Sequence, residues 1–452
     1  MKVFIKTYGC QMNERDSEAL AGMMVKAGHE ITELESDADV MIFNTCSVRD
    51  QAERKAVGKI SFMKKLKAKN PRLIIGVMGC MAQNRGEELF KELPHLDFVI
   101  GTGQLHKLPG VVEAIREERR QIAQLEAGSD VLTEMGVHYH KSSDKPPIMG
   151  QIAITRGCNR FCSYCIVPYV RGREISREIS DIIEEARAMV AGGVKEILLL
   201  GQNVAAFGLG GNVNPPDEED SPFADLLAEM CRIEGLERIR FTSPYVTYFN
   251  HKLIRTIAEN PKIARSIHLP LQSGSNRILQ LMNRQYTREI YLEKIAEIKR
   301  MIPEVTFSTD IIVGFPGETA EDFAETRSLA NLVNYDNAYI FKYSPRSGTR
   351  AAEMAGQLPD EVKEERNQIL LADLAERTKA NNRAQIGCTV EVLAEGPSNR
   401  NPKRWSGKTS TNKTVIFMPY DGLKIGDLIE IEVKYATNMS LFGELDDASG
   451  IE

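Results

Sequence analysis

The sequence predicts an α/β protein in three parts: a wound parallel-sheet domain, then a partial (β/α)6 barrel, then a small all-β barrel. Two observations carry this prediction. Apolar strand-like runs alternate with amphipathic helical runs up to about residue 376, and from about residue 377 the pattern turns to apolar/polar alternation with glycine at the turns. The expected boundaries are 1–118 for the first domain, 119–147 for a linker, 148–376 for the barrel and 377–442 for the β-module.

In the first domain, strands are expected at Val3–Thr7, Val40–Asn44, Leu73–Met78 and Phe98–Ile100. Helices are expected over Asp16–Ala27, Arg49–Leu66 and Arg85–Glu92. The polar run from Glu126 to Pro147 reads as a linker. In the barrel, strand candidates are Gln151–Thr155, Glu196–Leu200, Arg238–Thr242, Ser266–Pro270, Thr306–Val313 and Ala338–Tyr343. Helices Glu178–Ala191, Phe223–Ile233 and Arg288–Met301 lie between them, and a helix over Asp360–Ala384 leads away. Six β/α units make an incomplete barrel, since a closed one takes eight. The last part offers strands Thr389–Ala394, Thr414–Met418 and Leu428–Val433, with Gly387, Gly396, Gly407, Gly422 and Gly426 expected at turns.

The length of 452 residues exceeds one compact core, in keeping with several domains. Hydrophobic content of 42% with 27% charged residues is ordinary for a soluble chain. No apolar run reaches a membrane span, and the N-terminus lacks the features of a signal peptide, so a cytoplasmic protein with no membrane partner is expected. There, eight cysteines read as ligands or catalysts rather than disulfides. The net charge of −6 does not advertise a nucleic-acid binder, although a local basic patch remains compatible with one.

Gly157-Cys158-Asn159-Arg160-Phe161-Cys162-Ser163-Tyr164-Cys165 places three thiols just after a strand. Thiolates hold iron–sulfur clusters, and three local ligands leave one iron of a four-iron cluster open to a substrate. Structural zinc is the alternative, but zinc takes four ligands, typically in two close pairs, and no second pair is near. Cys10, Cys46 and Cys80 each follow a predicted strand, in Thr7-Tyr8-Gly9-Cys10, Asn44-Thr45-Cys46 and Met78-Gly79-Cys80. Strand carboxyl ends share one edge of a wound sheet, so these thiols are expected to converge, against the alternative of three buried apolar cysteines. Cys231 and Cys388 have no partner at ligand spacing and are assigned to packing. Arg171, Arg173 and Arg177 are open to two readings: grip on a phosphate or cofactor carboxylate, or pairing with Glu174 and Glu178. From Ser398 to Tyr420 the basic residues Arg400, Lys403, Arg404, Lys408 and Lys413 surround the only tryptophan, Trp405, with no acidic residue among them. That pattern fits an RNA contact, and equally a solvated hairpin with one aromatic plugging the barrel.

The Cys158/Cys162/Cys165 triplet resembles that of the radical S-adenosylmethionine enzymes, and the whole layout resembles the methylthiotransferases within them. Gly9-Cys10-Gln11-Met12-Asn13 with Asp16-Ser17-Glu18, Asn44-Thr45-Cys46-Ser47-Val48-Arg49, and Gly407-Lys408-Thr409-Ser410-Thr411-Asn412-Lys413 are similar to the tRNA-modifying branch that acts on isopentenyladenosine. The resemblance implies two [4Fe-4S] clusters, an auxiliary one on Cys10, Cys46 and Cys80 and a radical one on Cys158, Cys162 and Cys165. It implies S-adenosylmethionine contacts from Tyr164, Gln202, Asn203, Ser243, Gln272, Asp310, Ile312 and Gly314, and a C-terminal RNA-binding module of the TRAM type. The implied reaction is methylthiolation of C2 of N6-isopentenyladenosine at position 37 of tRNA, with one S-adenosylmethionine as methyl donor and one as radical source. The implied partners are the tRNA anticodon stem-loop and an unidentified electron donor, with the chain acting as a monomer. The alternatives are threonylcarbamoyladenosine or a ribosomal-protein side chain as substrate, or an RNA-binding iron–sulfur sensor without turnover. One departure stands out: where many relatives carry serine-proline-histidine, this chain has Ser243-Pro244-Tyr245.

Overall fold

In the structure, a computed structural model describing residues 1–47, 50–126, 136, 138, 147–212 and 214–445, the N-terminal domain is a six-stranded all-parallel sheet. Its strand order is Glu30–Ile31, Lys2–Tyr8, Val40–Thr45, Ile74–Gly79, Phe98–Ile100, Ile122–Gln124. The central strands Val40–Thr45 and Ile74–Gly79 are buried along their whole length, as a parallel sheet covered on both faces requires. One face packs Phe43, Ile60, Val77 and Leu89, and the other packs Leu20, Ile42, Phe98 and Val112.

Several boundaries move. The first helix is Gln11–Lys26 rather than Asp16–Ala27, because the Cys10 carbonyl already accepts from the Asn13 and Glu14 amides at 2.9 and 3.1 Å. The stretch expected as one helix over Arg85–Glu92 is two, Cys80–Arg85 and Glu88–Glu92, separated at Gly86 with φ +53°. The sheet also runs past 118: Ile122–Gln124 pairs with Phe98–Ile100 and belongs to the domain instead of the linker. Most of the expected linker, and Arg49 at the expected start of the second helix, lie outside the described residues.

The middle domain sets out six parallel strands as two three-stranded sheets. The first is Met149–Ala153, Glu196–Leu200, Arg238–Phe241; the second is Ser266–His268, Thr306–Val313, Asn337–Lys342. A bridge between Ile239 and Ile263 lies at the seam. Helices Ile179–Ala191, Pro222–Cys231 and Arg288–Met301 cover the outside, and Phe223, Phe249, Leu271, Ile298 and Phe307 are among the residues of one continuous core. Cys231 packs against that core, whereas Cys388 is exposed and so is not a packing residue.

The C-terminal module is a closed five-stranded barrel ordered Thr389–Pro397, Trp405–Thr409, Thr414–Phe417, Leu441–Leu445, Leu428–Ala436. Two of these strands, Trp405–Thr409 and Leu441–Leu445, are absent from the sequence reading, and the second carries the module to 445. Gly407 sits inside a strand rather than at a turn, where a Cβ would stand 2.3 Å from the Leu393 carbonyl oxygen. No described helix is long and apolar enough to cross a membrane.

Candidate metal centres

The register Tyr8–Thr45 and Thr45–Gly79 aligns the carboxyl ends of three neighbouring strands, and Cys10, Cys46 and Cys80 follow directly. Asn44 fastens this edge. Its amide donates to the Asn13 carbonyl at 2.7 Å and the Ser17 hydroxyl at 2.9 Å, while the Asn13 amide donates to Asn44 Oδ1 at 3.0 Å. Gly79 is required at its position, since φ is +94° and a Cβ would stand 2.4 Å from Asn44 Oδ1. A hydrogen bond with Cys46 is the largest influence on the Cys10 thiol and holds its pKa down at about 5, against the effect of burial. Burial pushes the Cys80 thiol up, opposed by the nearby charge of Arg171.

The second triplet lies on a loop whose base is closed by the two-residue ladder Thr155–Ser176 and Arg156–Ile175. Gln202 Oε1 accepts from the Gly157 amide at 2.7 Å, and the Ser163 amide donates to the Met282 carbonyl at 3.0 Å. Two N–H donors aim at sulfur: the Arg160 amide at Cys158 Sγ, 3.4 Å, and Arg284 Nη1 at Cys162 Sγ, 3.5 Å. Burial pushes the Cys158 thiol up to about 11 and the Cys165 thiol higher still.

These donor sets fit a cluster. Each is three cysteines at a strand end, and the N–H donors to sulfur suit thiolate ligands. Among the described residues no three Cys, His, Asp or Glu side chains are gathered around one point as a single metal ion demands.

Of the residues expected around S-adenosylmethionine, Gln202, Asn203, Ser243, Gln272 and Gly314 come after the carboxyl ends of barrel strands, Asp310 and Ile312 lie within Thr306–Val313, and Tyr164 is on the cysteine loop. Tyr164 and Ile312 pack on an apolar group of Ile278, Met282, Phe315, Tyr343 and Ala351. Asn203 Oδ1 accepts from the Tyr245 amide at 2.9 Å. Ser243 and Gln272 hold positive φ of 61° and 67°, and the Ile312 amide donates to the Gln272 carbonyl at 2.9 Å. Asp310 lies 3.4 Å from His268 Nε2. The Gly314 amide donates to Glu318, which also pairs with Arg366 at 2.5 Å, so protein groups occupy that turn.

The two triplets share a boundary. Cys80 packs on Ile166 and Val170, which follow Cys165, and Cys10 packs with Met12, Ala153, Leu198 and Leu200. Asp16 accepts from Arg171 at 2.9 Å and from Arg156 at 3.2 Å, all three side chains being buried. Burial alone would favour neutral Arg171, but Asp16 and then the Cys80 and Cys10 sulfurs hold its pKa above the usual arginine range. Arg177 pairs with Glu185 at 2.5 Å, and Arg173 stacks on Phe161 at 4.8 Å. Arg171 therefore pairs with Asp16 and Arg177 with Glu185, and among the described residues none of the three forms an ion pair with Glu174 or Glu178.

In the C-terminal module, Arg400, Lys403 and Arg404 are exposed, while Trp405 is half-buried against the barrel core. The turn after Trp405–Thr409 plugs the amino end of the middle domain. Arg238 Nη1 donates to the Lys408 carbonyl at 2.8 Å, Arg240 Nη2 to the Thr409 carbonyl at 2.7 Å, and the Arg265 amide to Ser410 Oγ at 3.0 Å. Lys408 Nζ donates to Thr414 Oγ1 at 2.8 Å, and Lys413 is ion-paired to Asp336. Lys413, expected as an RNA contact, is engaged in holding two domains together.

Tyr245, Arg284 and Arg160 also belong to the site and were not singled out as such by the sequence. The Tyr245 departure was the one available signal.

Comparison with known proteins agrees with this anatomy. Residues 2–101 match the family described as "Uncharacterized protein family UPF0004", 152–330 the radical SAM superfamily and 383–445 the TRAM domain. A tRNA-2-methylthio-N(6)-dimethylallyladenosine synthase of Akkermansia muciniphila is 44% identical over 98% of both chains. One of Moorella thermoacetica, with the same name, is also 44% identical over 98% of both. Among solved structures, the radical S-adenosylmethionine methyltransferase TsrM of Kitasatospora setae, with cobalamin and a [4Fe-4S] cluster bound, is similar with TM-score 0.57 at 13% identity. That likeness spans 78% of this chain and 74% of the other, and it is one of fold.

Proposed function

The chain belongs to the tRNA-2-methylthio-N(6)-dimethylallyladenosine synthase family, and on that premise we propose how its two thiol triplets divide the reaction. It is a radical S-adenosylmethionine enzyme that methylthiolates tRNA, with a [4Fe-4S] cluster and S-adenosylmethionine as cofactors. Cys158, Cys162 and Cys165 hold the radical cluster, and Cys10, Cys46 and Cys80 hold a second. The clusters supply one-electron cleavage of S-adenosylmethionine and a place for the incoming sulfur.

An aromatic C2–H offers no acidity to a side-chain base at neutral pH, so hydrogen abstraction replaces deprotonation. In the net exchange one S-adenosylmethionine takes an electron from the reductant and parts into methionine and the adenosyl group that leaves with the C2 hydrogen as 5′-deoxyadenosine. A second gives its methyl to a sulfide and leaves as S-adenosylhomocysteine, and the methylated sulfide bonds to C2 as one electron is returned. The residues of this chain bind, orient and exclude water. Tyr164 with its apolar neighbours offers a face to the adenine, Gln202 fixes the cluster loop, and Asn203 fixes the Ser243-Pro244-Tyr245 turn. Arg400, Lys403 and Arg404 hold phosphates of the anticodon stem-loop. The same reading places the chain in the cytoplasm as a monomer, served by an unidentified electron donor.

The observation that carries this reading is the shared boundary: Cys80 against Ile166 and Val170, with Arg171 between Asp16 and the Cys10 and Cys80 sulfurs. Two triplets with such a boundary suit a radical formed at one and a sulfur delivered from the other. The test is mass spectrometry of tRNA nucleosides from a strain lacking the gene. Loss of 2-methylthio-N6-isopentenyladenosine, restored by the gene, is expected. A mark that persists would exclude this substrate and leave threonylcarbamoyladenosine or a protein side chain.

A further inference from the structure

Tyr245 lies at the centre of an arrangement around the radical triplet. Its ring is 5% exposed and carries two guanidinium groups, Arg160 and Arg284, each 4.4 Å from the centroid. Its amide donates to Asn203 Oδ1 at 2.9 Å, and its hydroxyl accepts from the Gln285 amide at 2.9 Å, so the ring is held at both ends. Arg160 also stacks on Tyr248 at 4.8 Å and donates to Gln285 Oε1.

Both arginines reach sulfur. The Arg160 amide donates to Cys158 Sγ, and Arg284 Nη1 donates to Cys162 Sγ. Arg284 is fixed further by Tyr286, whose hydroxyl accepts from Nε at 3.0 Å and whose ring lies 5.0 Å away, and by the Pro270 carbonyl at 3.3 Å. Among the described residues no carboxylate lies within ion-pair distance of Arg284; its charge is met by tyrosine rings and a sulfur. A cation held this way, in surroundings of low dielectric, acts undiminished on the neighbouring thiolate.

We propose that Tyr245 is a positioning residue that holds Arg284 against Cys162, and that this clamp raises the reduction potential of the radical cluster. The proposal rests on the assignment of that cluster to Cys158, Cys162 and Cys165. A reduced cluster carries one more negative charge than an oxidised one, so a fixed cation at a ligand sulfur favours the reduced form. The buried ring of Tyr245, more than its hydroxyl, supports the guanidinium.

The test is an EPR-monitored redox titration of the reconstituted full chain without S-adenosylmethionine, in the natural sequence and with Cys10, Cys46 and Cys80 replaced by Ala to isolate the radical signal. Arg284→Gln is expected to move the midpoint to lower potential. Tyr245→Leu should move it the same way, the double variant no further than Arg284→Gln, and Tyr245→Phe little. An unchanged midpoint in Arg284→Gln with full iron content overturns the proposal, as does additivity of the two changes. Should Arg284→Gln hold no iron, Arg284→Lys, which keeps the charge without the stacking plane, is read with Tyr245→Leu; unchanged midpoints in both overturn it equally. Absence of any four-iron signal from the natural chain would instead overturn the cluster assignment.

Discussion

Asp16, on the first helix of the N-terminal domain, accepts a hydrogen bond at 2.9 Å from Arg171, on the helix that follows Cys165. The pair is buried and shared with Arg156, so removing the carboxylate takes the opposite charge of Asp16 away from two buried arginines. Asp16→Ala is expected to cost about 3–5 kcal/mol in chemical denaturation, the range for breaking a buried ion pair from one side. Asp16→Asn, closer in shape, should keep S-adenosylmethionine cleavage while lowering methylthio product per 5′-deoxyadenosine formed. Product assays that fall in parallel with cleavage would contradict a role in aligning the two triplets.

Gly79→Ala places a side chain where φ is +94° and where Asn44 Oδ1 stands 2.4 Å from the new atom. Backbone strain alone costs about 1–3 kcal/mol, and the Asn44 network beside Cys46 must shift as well. Iron analysis should show loss of about half the iron, with the S-adenosylmethionine cleavage of the other triplet retained.

His138 meets Glu18 of the N-terminal domain at 2.8 Å and also contacts Glu185 of the barrel domain. Burial lowers its pKa, but the two carboxylates outweigh this and raise it above the ordinary 6.5. A raised folded-state pKa means stabilisation that is fully present below about pH 6.5 and lost as pH rises through the folded value. The stability difference between the natural chain and His138→Gln should therefore shrink as pH is raised from 6 to about 9, as thermal unfolding at each pH will show.

The convergence of Cys10, Cys46 and Cys80 was legible because strand ends in a parallel sheet share an edge, and each thiol sat beside a turn residue. Local pattern and strand topology singled out the six cysteines, whereas their assignment to two clusters belongs to the family resemblance and the proposal above. Arg284 did not, because its approach to Cys162 depends on how the helix Asn276–Leu281 ends, with Asn283 at φ +57° turning the chain back. The strand Trp405–Thr409 was missed inside the basic stretch Ser398–Tyr420 for a similar reason. Its Lys408 looks solvated in sequence, while the arginines that donate to the Lys408 and Thr409 carbonyls, Arg238 and Arg240, lie more than a hundred residues away. Asp16 likewise looks like an ordinary polar position on a helix until Arg156 and Arg171 are brought to it.

The same distinction predicts how the C-terminal module binds. Replacing the exposed Arg400, Lys403 and Arg404 with Ala is expected to weaken tRNA binding and flatten the salt dependence, by up to about 2–3 in the slope of log K against log salt. Lys413→Ala should instead destabilise the contact with Asp336 and leave that slope unchanged. Filter binding over a salt series separates the two.

The central claim is that two triplets divide the chemistry, and its most direct test compares the reconstituted chain with a variant in which Cys10, Cys46 and Cys80 are all replaced by Ala. Both are given tRNA carrying isopentenyladenosine, S-adenosylmethionine and a reductant, and products are read by mass spectrometry. The variant is expected to hold about four irons instead of about eight, to form 5′-deoxyadenosine, and to make no 2-methylthio nucleoside. A variant that still methylthiolates its tRNA would contradict the account.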